Sequence, residues 1–128
     1  MEKTATVSPK RNQDDGLPSP LFEFASPTFT HLEITTIAFS GLVKFCITQN
    51  VDGLHRRYGL TRSKQSVLHG CIFTEKCNVW QIDYFRDFDV GGVSFKKTGR
   101  KCTGVPVCAG DLHDTILDWE DTLHEEDW

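Results

Sequence analysis

Lys44-Phe45-Cys46-Ile47-Thr48-Gln49-Asn50-Val51-Asp52-Gly53-Leu54-His55 is the stretch on which the fold turns. Its first half, residues 44–48, is short and apolar-rich and gives way abruptly to polar residues, as a buried parallel strand does. Asn50, Asp52 and Gly53 mark a turn after it. Upstream, Ser26 precedes Pro27, and Ser at the N-cap with Pro in the first helical position predicts a helix start. Ile34, Ile37 and Ala38 share one face of that helix, and Gly41 is its expected stop. The β-branched run 34–37 works against the helix, because stiff side chains lower helix propensity. A helix leading into a buried strand predicts an α/β layer. In such sheets ligands bind beyond the carboxyl ends of the strands, where Gln49, Asn50 and Asp52 fall.

Working outward, residues 1–21 read as a disordered tail, polar and carrying Pro9, Pro18 and Pro20. Residues 61–69 predict a short helical turn ahead of Leu68-His69-Gly70, and 71–75 alternate as a further strand would. From Cys77 to Gly110 the chain is rich in Gly and Cys, a composition suited to a loop module stapled by metal. An acidic end follows, with Glu120, Asp121, Glu125, Glu126 and Asp127.

Composition narrows the function. The 128 residues suffice for one domain or part of a larger one, and 25% charged residues is ordinary for a globular chain. A net charge of −4 speaks against direct nucleic-acid binding, which needs a positive surface. No apolar run approaches a membrane span, so no membrane partner is expected. Five cysteines, an odd number without a secretory signal pattern, favour reduced thiols or metal ligands and an intracellular setting.

Four groups of residues carry candidate chemistry. Amides and a carboxylate at Gln49, Asn50 and Asp52 can grip a ribose or a carboxamide; they can equally bond their own backbone in an ordinary turn. His69, beside Gly70, is able to take a proton from a sugar hydroxyl, or is a plain loop histidine. Cys77, Cys102 and Cys108 are spaced as zinc ligands closing a long loop, or are free thiols packing as small hydrophobes. The C-x-x-C partner expected after Cys77 is Trp80, which cannot ligate. Cys71 is the obvious substitute. If 71–77 form one strand, however, its thiol lies roughly 20 Å from that of Cys77. A water, His113 or a carboxylate remains as fourth ligand, and Cys46 reads as core. Trp119, set among acids at 118–121, either walls an apolar tunnel or stands on an acidic loop.

In this order, these pieces resemble the sirtuin family. The segment 48–55, then Gly59-Leu60, then 68–70, is that family's most recognisable stretch, and Pro27-Thr28-Phe29-Thr30-His31 resembles its P-T-x-x-H element. Residues 98–102 and 114–121 look like the nuclear, chromatin-directed class IV members. The resemblance spans about residues 22–128 and implies a partial Rossmann-like α/β domain with a small zinc-binding-module-like insertion at about 71–112. It implies an NAD-dependent protein-lysine deacylase acting on acylated lysine, histone tails included, in the nucleus; some class IV relatives also transfer ADP-ribose to protein. Gln49, Asn50 and Asp52 would face nicotinamide and ribose. His69 would be the general base that lets the ribose hydroxyls take over the acyl group, giving free lysine and O-acyl-ADP-ribose. Trp119 would line the acyl-lysine entry, and Cys77, Cys102 and Cys108 would hold zinc.

The departures from the family pattern carry expectations of their own. No Gly-x-Gly occurs anywhere in the chain, so the backbone amides that cradle a pyrophosphate are not evident. The family's later Gly-Thr-Ser and adenosine-binding segments are not found either. Cys71 stands where Asn is usual, Trp80 where a zinc cysteine is usual, and His113 where the subfamily has arginine. Weak or absent catalysis by this chain on its own is therefore expected. The alternative is a non-catalytic, zinc-stapled protein-binding module.

Overall fold

The computed structural model of the chain describes residues 21–104 and 108–127. All but Leu21 of the expected N-terminal tail lies outside these residues.

Helix α1 runs Phe29–Phe39, two residues later than the Ser-Pro signature predicts, with Thr28 as its N-cap. The shift has a local cause. His31, in the third helical position, turns back so that its Nδ1 accepts the Thr28 N–H at 3.2 Å and sits 2.8 Å from the Thr28 hydroxyl. This satisfies helix-start donors that Ser26 does not reach. The threonines that weaken the helix on propensity donate back to the carbonyls one turn earlier, Thr35 to His31 and Thr36 to Leu32. The stop at Gly41 holds: with φ of 79°, it lets its own N–H reach the Ala38 carbonyl and the Leu42 N–H reach Ile37. The buried face differs from the expected one. Thr35 and Ala38 are buried, whereas Ile37 is exposed.

Strand β1, Cys46–Thr48, pairs in parallel with β2, Gln65–Val67. The parallel pairing was legible, but the burial was not. Ile47 is 67% exposed and Cys46 only half-buried, so neither is core. The physical reason is that this sheet has two strands among the described residues, and nothing there covers the face that Ile47 presents. Phe29, Phe39 and Leu42 are exposed as well. Between the strands, α2 spans Leu54–Arg57, and a 3-10 turn at Arg62–Lys64 matches the helical turn expected before His69. The crossover is pinned by the buried Gln65 side chain, whose amide donates to the Leu60 carbonyl at 2.8 Å.

The expected strand at 71–75 is instead β3, Thr74–Cys77, because the chain at Cys71 bends under Thr115. β3 belongs to a four-stranded antiparallel sheet in the order β4-β3-β6-β5, with β4 at Asp83–Phe85, β5 at Lys97–Lys101 and β6 at Asp111–Asp114. Glycine and cysteine content concealed these strands, half of whose residues are charged.

Glu75, on the central strand, has no solvent exposure. Its carboxylate accepts from Arg86 at 2.7 Å, from Arg100 at 2.8 Å and from the Thr98 hydroxyl at 2.6 Å. One carboxylate thus ties β3 to β5 and to the segment leaving β4. Burial pushes its pKa up, but the bonds from Thr98, Arg86 and Arg100 together outweigh burial and hold it below the usual range. The folded value lies below the unfolded one, so this stabilisation is complete above the unfolded carboxylate pKa, about 4.3, and is lost as pH falls. Glu75→Ala should lower stability in urea by about 3 kcal/mol, because it leaves the Arg86 and Arg100 guanidiniums without the carboxylate they share. The variant should also lose stability less steeply than the parent between about pH 5 and pH 3.

Candidate functional site

The register Cys46↔Gln65, Ile47↔Ser66, Thr48↔Val67 sends two loops from the same end of the parallel pair. The ladder continues one bond further, with the Leu68 N–H donating to the Thr48 carbonyl at 2.9 Å. Residues 49–53 leave one strand end and 68–70 leave the other.

In the first loop the Asp52 carboxylate accepts the Leu54 N–H at 3.0 Å, opening α2, and the Asn50 N–H donates to the Thr48 hydroxyl at 3.1 Å. Gly53 has φ of 63°, and a Cβ there would stand 3.0 Å from the Phe73 ring and 3.1 Å from the Cys71 sulfur. Asn50 and Asp52 line a narrow cleft with Thr48 and His55. Gln49 is exposed and lines no such cleft.

His55 carries a feature that the sequence reading passed over. It is buried, its ring lies 4.8 Å from that of His31, and its Nδ1 has no hydrogen-bond partner among the described residues. Burial lowers its pKa and the neighbouring His31 lowers it further, against an opposing pull from Asp52. The ring is therefore held neutral at neutral pH. Its place at the end of the quoted stretch was visible; its burial against α1 was not.

In the second loop, the Gly70 N–H closes a turn on the Val67 carbonyl. Gly70 adopts φ of 80°, and a Cβ would fall 1.8 Å from the Thr115 carbonyl oxygen. Thr115 in turn bonds Cys71 both ways, accepting its N–H at 3.1 Å and donating to its carbonyl at 3.2 Å. The His69 carbonyl accepts the Leu117 N–H at 3.2 Å. So the backbone beside His69 is clamped onto residues 115–117, while its imidazole is exposed. That ring lines an open cavity of about 210 Å³ with Leu117, Asp118, Trp119, Asp121 and Leu123. Trp119 itself is 95% exposed. His69 and Trp119 therefore meet in one cavity, and Asn50 and Asp52 in a separate one at the same end of the strands.

The sulfurs of Cys77, Cys102 and Cys108 all lie within 4.8 Å of one another, those of Cys77 and Cys108 being 3.5 Å apart. Backbone N–H groups of Val79 and Trp80 fold onto the Cys77 sulfur, that of Gly104 onto Cys102 and that of Gly110 onto Cys108, each at 3.4 Å. The Tyr84 hydroxyl accepts the Thr103 N–H at 3.1 Å, which leaves its proton for the Cys102 sulfur, also at 3.1 Å. That bond is the main reason the Cys102 thiol is lowered to about 7, whereas burial pushes Cys108 up to about 11. Donors converging on sulfur stabilise thiolates, and three thiolates this close suit one thiophilic ion with bonds of about 2.3 Å. Cys71 lies outside the cluster, beside Gly53 and Thr115. His113 lies outside the cluster too, its buried Nε2 having no hydrogen-bond partner among the described residues. Leu112 packs among the cysteines, and His113, next along β6, points to the other face with its Nδ1 2.6 Å from the Phe95 carbonyl.

A parallel strand pair with polar loops at its carboxyl end, joined to an antiparallel sheet closed by cysteines, defines the class. The Sir2 family model matches residues 15–124, and the chain belongs to that family. It is 47% identical over 102 residues to the NAD-dependent protein deacetylase SRT1 of Arabidopsis thaliana, covering 80% of this chain and 21% of that protein. Sirt6 of Drosophila melanogaster, also named an NAD-dependent protein deacetylase, is 38% identical over 112 residues, 83% of this chain and 35% of that one. Human sirtuin-7 is 41% identical over 98 residues, 73% of this chain and 24% of that one. The chain thus spans about a fifth to a third of the length of these relatives. A Sir2 homologue solved in complex with NAD superposes with a TM-score of 0.55 over 82% of this chain and 38% of that one, at 23% identity. A Sir2 bound to an inhibitor, 2'-O-acetyl-ADP-ribose and a deacetylated p53 peptide gives 0.51 over 82% and 42%, at 24% identity. These likenesses establish the Rossmann-like sirtuin fold.

The Gly70 contact is open to test. Gly70→Ala should destabilise the chain by at least about 2 kcal/mol in urea, since it adds backbone strain to a clash with a carbonyl that cannot swing away. Hydrogen exchange should then rise first at Cys71 and Leu117.

Proposed function

We propose that this chain supplies the catalytic histidine, part of the nicotinamide–ribose contacts and the metal-stapled module of an NAD-dependent protein-lysine deacylase. The observation that carries the proposal is the parallel register of Thr48 with Val67, which brings the loop at 49–53 and the His69 loop to one end of adjacent strands. Family membership and the naming of its relatives as NAD-dependent protein deacetylases support it.

In this reading Gln49, Asn50 and Asp52 orient the nicotinamide side of NAD, and His69 takes a proton from a ribose hydroxyl so that the acyl group passes from lysine to ADP-ribose. Trp119 and its acidic neighbours receive the acylated lysine and its basic flanks, as on a histone tail, which fits a nuclear setting. Cys77, Cys102 and Cys108 hold zinc, which fastens residues 71–112 as a module. The sheet that carries the metal is the one on which Thr115 and Leu117 clamp the His69 backbone. Metal loading therefore bears on catalysis through position.

A second reading rests on the cysteine centre alone. Its amide-to-sulfur bonds are complete without any pyrophosphate loop, so the chain would serve as a metal-stapled protein-binding module.

The assay is nicotinamide release from NAD with an acetyl-lysine peptide. The 128-residue chain alone should stay at background, because positioning of the ribose carbon depends on phosphate contacts that no Gly-x-Gly provides. Turnover abolished by His69→Ala would overturn that inactivity while upholding the histidine's role; turnover indifferent to the substitution would remove the role. Purified chain should carry one equivalent of zinc, and a content well below that would remove the metal module from both readings.

A further inference from the structure

The turn at 77–80 has the form of a metal-binding C-x-x-C turn, its amides at positions 79 and 80 folded onto the first sulfur. The residue at its fourth place is Trp80, with an indole 57% exposed and no ligating atom. A structural zinc site normally closes its tetrahedron with a fourth protein ligand.

No other histidine or cysteine among the described residues joins the three sulfurs. Cys46 lies in β1 and Cys71 beside Gly53. His31 and His55 stack on each other, His69 faces the Trp119 cavity, His113 reaches the Phe95 carbonyl, and His124 Nε2 lies 2.9 Å from the Thr115 carbonyl. Asp111, the acid of β6 near the cysteines, is held by Lys97 at 2.8 Å and by Lys101. Residues 105–107, between two of the cysteines, are Val, Pro and Val in sequence and bring no ligating side chain.

The surroundings select what can occupy the remaining position. Leu112 and Tyr84 pack on the cysteines. The Ile82 methyl and the Cys102 sulfur stand equally close, 3.3 Å, to where a Cβ on Gly104 would be, and the Cys77 sulfur, Asn78 Oδ1 and the Val79 methyl stand 2.7, 3.0 and 3.1 Å from where one on Gly110 would be. The Tyr84 hydroxyl already accepts from Thr103 and donates to Cys102. A metal-bound water would find few acceptors in these walls, chiefly Asn78 Oδ1, which already takes the Asp111 N–H, whereas a thiolate needs none.

We propose that the three-cysteine centre is an open one, in which an ion held by Cys77, Cys102 and Cys108 takes its fourth ligand from solution as a small thiol. The incoming thiol gives its proton to solvent and forms one metal–sulfur bond in place of a weaker oxygen ligand, and no electrons are transferred. The inference rests on the metal-stapled module proposed above and adds that this module responds to the free thiol around it.

Cobalt(II) absorption is the readout, since its visible bands follow the number of sulfur ligands. The full 128-residue chain, kept reduced with a phosphine, is loaded with Co(II) and titrated with β-mercaptoethanol. The bands should move to those of a four-sulfur centre as thiol is added. Trp80→Cys should show four-sulfur bands from the outset, ignore the thiol, and bind Co(II) at least about tenfold more tightly, a whole thiolate bond counting for more than the second-shell contacts that alone bring such factors. Co(II) bound by the parent chain with bands indifferent to thiol would overturn the open-centre inference and leave the metal module standing. Failure of the parent chain to bind Co(II) would overturn both. The titration of the parent chain decides the matter even where the Trp80 variant does not fold.

Discussion

Thr115 sits where two sheets of different kinds have to be joined, and the contact it makes leaves no tolerance. Its carbonyl lies where any side chain on Gly70 would be, and its hydroxyl and the Cys71 backbone satisfy each other. The parallel pair β1–β2 ends just before this point, and β6 of the antiparallel sheet ends just after Asp114. A left-handed glycine therefore allows the backbone of one sheet to lie directly on the backbone of the other. The direction in which the His69 ring leaves the chain follows from that contact and from the bond between its carbonyl and Leu117.

The antiparallel sheet lacks the apolar mass to hold its own shape. Its buried hydrophobics next to the cysteines reduce to Leu112, with Tyr84 partly covering them. Two polar staples do what a larger core does elsewhere. Glu75 gathers Arg86, Thr98 and Arg100 around one carboxylate, and the three cysteines converge on a common point at the other end of β3. A second acid, Asp114, is buried and accepts the Lys96 N–H at 2.7 Å and the Ile116 N–H at 2.9 Å, fixing the loop that covers the junction. Burial raises its pKa, the opposite direction to Glu75. The difference is physical. Glu75 meets two guanidiniums, while Asp114 meets chiefly backbone amides, whose bonds do not offset its loss of water. Small modules commonly rely on such staples or on metal, because a short chain buries too little surface to stabilise itself otherwise.

Much of the site could be read from residue types alone, and the reasons are local. The strand at 46–48 announced itself by its apolar run, Gly41 by its helix-stopping place, and the cysteines by their spacing. What failed was anything that depended on a partner distant in sequence. Ser26-Pro27 is a sound helix start, yet His31 bonding to Thr28 moved the boundary. Cys46 looked like core in a parallel strand, but burial of a strand depends on what covers its faces, and Ile47 shows that nothing described does. His55 carried no signal of its own, since its neutral ring, with Nδ1 lacking a partner among the described residues, is a product of packing against His31. Strands β4 to β6 were missed because charged residues such as Asp111, Lys97 and Lys101 pair across the sheet with each other rather than facing an apolar layer.

By itself, the order of motifs from Thr48 to Asp121 determined the family and the residue types available for chemistry, because those depend on identity and spacing along one chain. The tertiary structure decided which of them meet. It set His69 beside Trp119 and apart from Asn50 and Asp52, chose Cys77, Cys102 and Cys108 over Cys71 and His113, and buried Glu75 between two arginines. The bonds of Arg86 to Glu75 and of Cys71 to Thr115 join residues 11 and 44 positions apart, through sheet register and one tight glycine junction, and neither is written in any local stretch of sequence.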